Sequence, residues 1–435
     1  MSYHGKNLKK LFYFVFSIIF FAGFGSQVLA QTQTPQARFG CTMTKVEGEI
    51  YLYGGYSDAG EKGCVIGGLW KWDYERKEWL DKNPTNTPPG KFFHSAAVSN
   101  KTGSNDMYVF FGADGEGGTI STIWSYNPPT NEWNEEVQNG SPIMEPRFAH
   151  SSSKLSDGRI LTFGGFNENF EFDSSVWVYD PSNGTWEKKS DFPGMYRYGH
   201  KTVFVNNKVQ LFGGVGPDGA NNQMWDYDMT TDTWELQSGG KTSPGGRQCH
   251  AMVASDVAGK IWVLGGDDDS GGAAFKDVWE FDISTKEWTQ LDDLPFPRTC
   301  FGAALLTDEN ETPTGILIFG GKSNGSIISE TYIYPITVVG VGDDEPRPKN
   351  FRLSQNYPNP FNPETIITYQ LPVGGFVSLK VYDILGNEVT SLVNEEQPAG
   401  RYSVKFDGSM MSSGVYFYKF NTGKFSNVKK MILLR

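Results

Sequence analysis

The chain has 435 residues, among them 51 Gly and 23 Pro, with 14% aromatic and 20% charged residues and a formal charge of −12. Its length is enough for two or three domains with buried cores. Its Gly and Pro content excludes a mainly helical protein, its 12 Trp, 20 Tyr and 31 Phe exclude a disordered one, and its acidic balance excludes a general nucleic-acid binder.

Residues 1–30 read as a signal peptide. Lys6, Lys9 and Lys10 form a basic end, Leu11 to Ala22 is almost wholly apolar, and Val28-Leu29-Ala30 supplies small residues at the cleavage point. Gly23, Gly25, Ser26 and Gln27 cut the apolar run short of the about 20 residues a membrane span needs. The expectation is an exported chain with no transmembrane segment after cleavage and a charge of −15, three Lys and no acid having been removed. Export makes disulfides available to Cys41, Cys64, Cys249 and Cys300, and four cysteines allow three pairings. None of them stands in a CxxC spacing, so no zinc site is expected.

From residue 38 to 340 the sequence repeats. A Gly pair closes a β-rich run at Tyr53-Gly54-Gly55, Phe163-Gly164-Gly165, Phe212-Gly213-Gly214, Leu264-Gly265-Gly266 and Phe319-Gly320-Gly321, and Phe111-Gly112-Ala113 reads as the same element with one Gly lost. Five tryptophan pairs, each nine residues apart, follow: Trp70 and Trp79, Trp124 and Trp133, Trp177 and Trp186, Trp225 and Trp234, Trp279 and Trp288. Turn residues between them, such as Asp180-Pro181-Ser182-Asn183-Gly184, predict a hairpin with one Trp on each arm, the rings packing one twisted sheet on the next. Ahead of each Gly pair a cation stands three residues before a mostly His position: Arg38…Cys41, Lys91…His94, Arg147…His150, Arg197…His200, Arg247…His250 and Arg298…Phe301. Each such segment opens a further strand, which gives four strands in each of six repeats of about fifty residues, the layout of sheets that close radially.

The succession Arg-x-x-His, Phe-Gly-Gly, Trp-x-Tyr-Asp, Trp resembles the kelch repeat. The resemblance implies that residues 31–341 form a six-bladed kelch β-propeller. Repeat six departs from the pattern, with Tyr332 in place of the first Trp, Val341 in place of the second and no turn in Ile336 to Val341. Its fourth strand is therefore expected from Gln31 to Gln36, crossing over to close the ring.

Residues 342–350 read as a polar, Pro-containing linker, and beyond it both the repeat and the tryptophans stop. Alternating runs at Thr365 to Gln370, Val377 to Asp383, Tyr402 to Phe406, Val415 to Asn421 and Val428 to Leu434 predict a small immunoglobulin-like β-sandwich over 351–435. Five blocks resemble the type A sorting domain of the type IX secretion system: Asn356-Tyr357-Pro358-Asn359-Pro360-Phe361, Val381-Tyr382-Asp383-Ile384-Leu385-Gly386, Gly400-Arg401-Tyr402, Ser413-Gly414-Val415-Tyr416-Phe417-Tyr418 and Lys429-Lys430-Met431. The resemblance implies passage through the outer membrane by the type IX machinery and, often, removal of the domain with attachment to surface lipopolysaccharide; the alternative is an adhesive immunoglobulin-like module.

Chemistry is sparse in the sequence. His94, His150, His200 and His250 share one repeat position, which favours a structural hydrogen bond over a catalytic or metal site, since a site needs different groups converging on one point. Nothing resembles the Tyr, Cys and His grouping of a copper oxidase, and no cofactor is expected. Asp267-Asp268-Asp269 lacks the alternation of a calcium loop and reads as a solvated turn. In some kelch propellers the cation of this column faces the central channel and grips acidic ligands. Carried over, Arg38, Lys91, Arg147, Arg197, Arg247 and Arg298 would ring one mouth of the channel and bind a surface protein or an anionic glycan; the alternative is that each pairs with a carboxylate of its own or a neighbouring blade. Cys249 and Cys300 occupy equivalent points of adjacent repeats, so a bridge between them, and another between Cys41 and Cys64, stand beside free thiols as expectations. The functional expectation is a binding module. The alternatives are a kelch-type sugar (sialic acid) mutarotase and a structural envelope component.

Overall fold

A computed structural model describes residues 34–58, 63–237, 242–336, 351–353, 356, 359, 361–398, 400–423 and 425–434. The signal peptide, most of the segment expected to close the ring, and the 342–350 linker lie outside them. The chain divides into two units, Met1–Thr337 and Val338–Arg435.

Among the described residues the first unit holds six large antiparallel sheets, one per repeat, and three small two-stranded ones. Sheet one is built from Thr42–Val46, Glu49–Tyr53, Leu69–Asp73 and Glu78–Asp81 in that order, and sheets two to five follow the same plan. The first strands, Thr42–Val46, Ser95–Ser99, Ser151–Lys154, Lys201–Val205, Ala251–Ser255 and Gly302–Thr307, each neighbour the next, and the sixth neighbours the first. The sheets thus form a closed ring. Sheet six shows three strands among the described residues, ending at Thr331–Pro335. Thr34 to Gln36, the described part of the expected crossover, forms no strand. What joins the first sheet to the last is Arg38 to Gly40: Arg38 N–H donates to the Ile328 carbonyl, Gly40 N–H to that of Cys300, and the Arg38 carbonyl accepts from Gly321.

The tryptophan hairpins form as read, and they explain why sheets stack. The second Trp of each pair lies cross-strand from an aromatic two residues after the first, as in Tyr126 against Trp133 and Phe281 against Trp288. It also meets the aromatic that precedes the Gly pair of the previous sheet. The contacts are Tyr53–Trp133, Phe110–Trp186, Phe163–Trp234 and Phe212–Trp288, with ring centroids 4.9–5.9 Å apart. Trp79 of sheet one meets Phe319 of sheet six at 5.5 Å, so the same contact closes the ring. Large rings meeting edge-on or tilted contribute both area and geometric preference to each junction.

Each first Gly has a positive φ and lies against the next repeat. A Cβ on Gly164 would stand 2.5 Å from the Arg197 carbonyl and 2.7 Å from the His200 ring. Repeat two shows what happens without it. Phe111, at φ +51, occupies the first position and Gly112 the second, so the lost glycine is the first of the pair and the alignment shifts by one from the sequence reading.

In the second unit, Arg352–Leu353, Glu364–Leu371 and Gly400–Asp407 form one sheet, and Glu388–Gln397, Gly375–Tyr382, Gly414–Asn421 and Ser426–Leu433 the other. Ile367, Tyr369, Val377, Leu379, Val381, Tyr418, Phe420, Met431 and Leu433 are buried in one core. All five expected strands are present. Two more were not legible: Arg352–Leu353 is too short to show a period, and Glu388–Gln397 is too rich in Glu, Asn and Gln to read as a half-buried strand.

Candidate functional site

Two closed rings of backbone hydrogen bonds organise one end of the first unit. In the inner ring, N–H groups of Gly40, Phe93, Ala149, Gly199, Cys249 and Cys300 donate to the carbonyls of Cys300, Gly40, Phe93, Ala149, Gly199 and Cys249, at 2.8–2.9 Å. All six residues have φ between +51 and +65, which turns each peptide toward its neighbour. In the second ring, N–H groups of Gly55, Gly112, Gly165, Gly214, Gly266 and Gly321 donate to the carbonyls of Lys91, Arg147, Arg197, Arg247, Arg298 and Arg38, at 2.7–3.0 Å. The backbone of the cation column is therefore committed to joining one repeat to the next.

Its side chains are committed as well, and this corrects the expected channel-mouth ring. Arg38, Lys91, Arg147, Arg197, Arg247 and Arg298 are all buried, none more than 3% exposed. Each arginine sends Nη1 to the carbonyl of the first Gly of its own repeat: Gly54, Gly164, Gly213, Gly265 or Gly320, at 2.9–3.5 Å. Further partners differ by repeat. Arg147 reaches Asp173, Arg197 reaches Gln223, and Arg247 holds both oxygens of Asp277 at 2.8 Å. Burial lowers Arg38, Arg197 and Arg298 to about 10. Burial also opposes the charge of Asp277, yet the Arg247 guanidinium holds its carboxyl below the ordinary value. Through the shared glycine carbonyl each guanidinium acts as a hydrogen-bonding strut, most fully satisfied in Arg147 and Arg247, whereas among the described residues Nε of Arg197 and both Nε and Nη2 of Arg298 are buried without a hydrogen-bond partner. Lys91 has no such partner among the described residues: its Nζ is buried alone, and burial pulls it down to about 7.

The histidine column behaves as read in three of four places. His94, His150 and His200 bond through Nε2 to the hydroxyls of Thr42, Ser95 and Ser151 of the preceding repeat, at 2.8–2.9 Å. Burial first, and neighbouring cations second, hold them neutral, well below the ordinary imidazole value. His250 departs: it is fully buried and neither ring nitrogen has a partner. The residue that should face it is Lys201, which the sequence reading missed. The signal was there in the column that follows the histidine position, which runs Thr42, Ser95, Ser151, Lys201, Ala251, Gly302.

All four cysteines are free, so neither expected bridge is present. Cys249 and Cys300 are nonetheless joined in the inner ring, and their mutual thiol contact, with burial, raises the Cys249 thiol well above its ordinary value. Among the described residues no group of three or more His, Cys, Asp or Glu is placed to hold a metal ion.

Outside the inner ring lies a surface with two unlike halves. Repeats one to four supply Phe39, Phe92, Phe148, Phe166 and Tyr198, buried together, with Tyr56, Phe93, Phe170 and Phe172 partly exposed around them. Phe172 stacks on Tyr196 with centroids 4.4 Å apart and planes 14° from parallel. Repeats five and six place polar groups at the matching points. Gln248 donates to Asp267 and Asp269, Thr299 to Asp267, and Tyr198 to Asp269. The Asp267-Asp268-Asp269 turn is therefore partly built into the surface rather than wholly solvated.

In the second unit the first and last sorting blocks meet. The Asn359 side chain accepts from Ile432 N–H, and Phe361, 1% exposed, exchanges backbone bonds with Ile432 and Leu434. These bonds fix the strand that carries Lys429 and Lys430. Asp383 accepts from the Leu385 and Asn387 amides in a turn completed by Gly386 at φ +86, with Tyr382 ending the strand before it. Gly414 opens the strand Gly414–Asn421, and Tyr416 donates to the Ser412 carbonyl. Tyr357, Pro358 and Pro360 lie outside the described residues.

A family model described as the KLHDC2/KLHL20/DRC7 Kelch-repeats domain matches residues 4–155 and 94–321, and one described as a secretion system C-terminal sorting domain matches 355–434. Among curated proteins, tip elongation aberrant protein 3 of Schizosaccharomyces pombe is 26% identical over 249 residues, 56% of this chain and 19% of its own length. Host cell factor 2 of Homo sapiens is 26% identical over 242 residues, 50% of this chain and 29% of its own length. Kelch domain-containing protein 3 of Rattus norvegicus is 23% identical over 252 residues, 54% of this chain and 62% of its own length. The chain thus spans less than two thirds of each of these relatives.

Proposed function

The chain belongs to the kelch-repeat family and ends in a type IX sorting domain, and from that premise we propose that it is a binding module, for a protein or a glycan, presented outside the cell. The sorting domain points to secretion or the cell surface. The observation that carries the binding reading is the two-part surface over the inner ring. Partly exposed aromatic rings there adjoin a hydrogen-bonded group of Asp267, Asp269, Gln248 and Thr299. Aromatic faces give contact area at low conformational cost, and carboxylates and amides fix orientation. With the arginine column buried, the half-buried Asp267 and Asp269 carboxylates of this surface favour neutral or basic partners over the anionic glycan expected from the sequence, with the Lys322 ammonium held over the Phe39 ring at 3.9 Å.

The test is an array of neutral and anionic glycans and of neutral, acidic and basic peptides, probed with the purified chain and with Phe172→Ala and Tyr196→Ala. Binding of a neutral or basic ligand that either variant loses, with an unchanged melting temperature, supports the reading. Binding that both variants keep moves the site off this surface.

A further inference from the structure

Strand register in the second unit gathers the sorting blocks at one end. Strand Gly375–Tyr382 stops there, with Tyr382 opposite Phe417, and the turn from Asp383 to Asn387 follows. Strand Gly414–Asn421 begins there, and the last strand finishes there, Leu433 lying opposite Gly414 and Lys430 opposite Phe417. In the facing sheet Glu364 lies opposite Asp407, so the turn after Asp407 belongs to the same end. Close contacts tie the two sheets together at this point. A Cβ on Gly408 would stand 3.0 Å from the Leu433 side chain and 3.2 Å from the Phe361 ring. Four of the five blocks are thus brought together: Asn359 and Phe361, the Asp383 turn, Ser413-Gly414, and the last strand. The fifth, Gly400-Arg401-Tyr402, lies at the other end, where Gly400 is opposite Leu371 and where the chain enters with Arg352 opposite Gln370.

What this end shows to solvent is apolar. Ile384 is 69% exposed, Leu385 81%, Met410 97% and Leu434 52%. Hydrogen bonds hold the turns that carry them. The Asp383 carboxylate accepts from Leu385 N–H, Asn387 N–H and Asn387 Nδ2, each at 2.9 Å, and its carbonyl accepts from Gly386 N–H. Met411 N–H donates to the Gly408 carbonyl, and the Met411 side chain packs on the core, which leaves its neighbour Met410 facing out. Charged groups nearby are engaged locally: Lys380 with Glu388, Lys405 with Glu364, and Asp407 with Ser409 N–H. Single exposed apolar residues are ordinary, but several at one end of a small domain, on turns already ordered, mark an interaction site that loses little entropy on docking.

We propose that this end of the sorting domain is the surface read by a protein of the type IX machinery, with Ile384, Leu385 and Met410 as anchors entering an apolar cleft of that protein. The proposal rests on residues 355–434 being a sorting domain and adds which face of it is recognised. It is independent of the ligand bound by the kelch unit.

The experiment expresses the full chain in a host that carries the type IX machinery and compares the amount outside the cell with the amount retained within the outer membrane. The test variant is Ile384→Ser with Leu385→Ser, and the control is Val373→Ser with Phe376→Ser, exposed apolar residues of the other end. All four positions are at the surface, so both purified variants should melt with the parent. Export of the test variant should fall about tenfold or more, as expected when central apolar anchors are lost, while the control matches the parent. Export of the test variant at the parent's level overturns the proposal, and so does an equal loss in the control. If the test variant fails to fold, Met410→Ser takes its place under the same criteria. A parent chain retained inside the cell would overturn the sorting reading itself, and this proposal with it. Unchanged export, together with binding of the purified parent to phosphatidylethanolamine–phosphatidylglycerol vesicles that the test variant loses, would assign the tips to a lipid surface and overturn the proposal too.

Discussion

Repeats two and five are built on one template, and the contrast that bears on stability lies at the end of the cation's side chain. In repeat five, Arg247 satisfies the Gly265 carbonyl and both oxygens of Asp277. In repeat two, Lys91 is just as deeply buried and its Nζ bonds to nothing, while Phe111 replaces the first glycine. Both repeats nevertheless make the same inter-repeat backbone bonds: Gly112 to Arg147 and Phe93 to Gly40 in one, Gly266 to Arg298 and Cys249 to Gly199 in the other. The comparison teaches that the inter-repeat backbone bonds are made in repeat two without any hydrogen bond from its cation, so there the backbone geometry alone carries the junction.

Breaking the satisfied member should cost most. Arg247→Met strands a half-buried Asp277 carboxylate and the Gly265 carbonyl, and should destabilise the kelch unit by about 3–5 kcal/mol. Denaturant melts of parent and variant measure this, and a loss below about 1 kcal/mol would show the strut to be dispensable.

Repairing the unsatisfied member should do the opposite. Lys91→Met removes a stranded amine of similar length and should stabilise the unit by about 2–4 kcal/mol near pH 7. The sign with pH follows from a folded value near 7 against an ordinary 10.5. Between those values the unfolded chain holds more protons, so the parent gains stability as pH rises from 7 to 9.5. The variant should be nearly flat over that window; a parent that is equally flat would mean that Lys91 finds a partner in solution. The buried histidines, also depressed, extend the same slope below pH 6.5 in both proteins.

A smaller effect tests the histidine column in which Lys201 is the exception. Ser95→Ala removes the hydroxyl from both His150 and Ser152 and should cost about 1–2 kcal/mol. Its melting temperature should fall, and an unchanged one would place another acceptor beside His150.

Periodicity made the six repeats, the tryptophan hairpins and the sorting blocks legible, because each is a property of side chains at fixed spacing. The burial of Arg38, Arg147, Arg197, Arg247 and Arg298 was not legible, because their shared acceptors are glycine carbonyls, which leave no trace in residue type. For the same reason Arg-x-x-His reads alike whether the guanidinium points into a sheet or out of it. Lys201 was legible as the one charged member of the column next to the histidines, but its meaning depends on the hydroxyl–imidazole bonds between repeats, which residue type alone does not show.

The inner ring also bears on how this chain acquires its structure. None of its six bonds is local: five N–H groups wait for a carbonyl one repeat away, and the sixth, which completes the circle, joins Gly40 to Cys300 across nearly the whole kelch unit. Contacts of that separation carry the full entropy of loop closure before they return any energy, so the folding rate should be set by the meeting of the two ends of the kelch unit rather than by any one repeat. A chain cut short of Cys300 would hold five well-formed sheets in an open arc, with the first and the fifth each presenting an unmatched peptide edge.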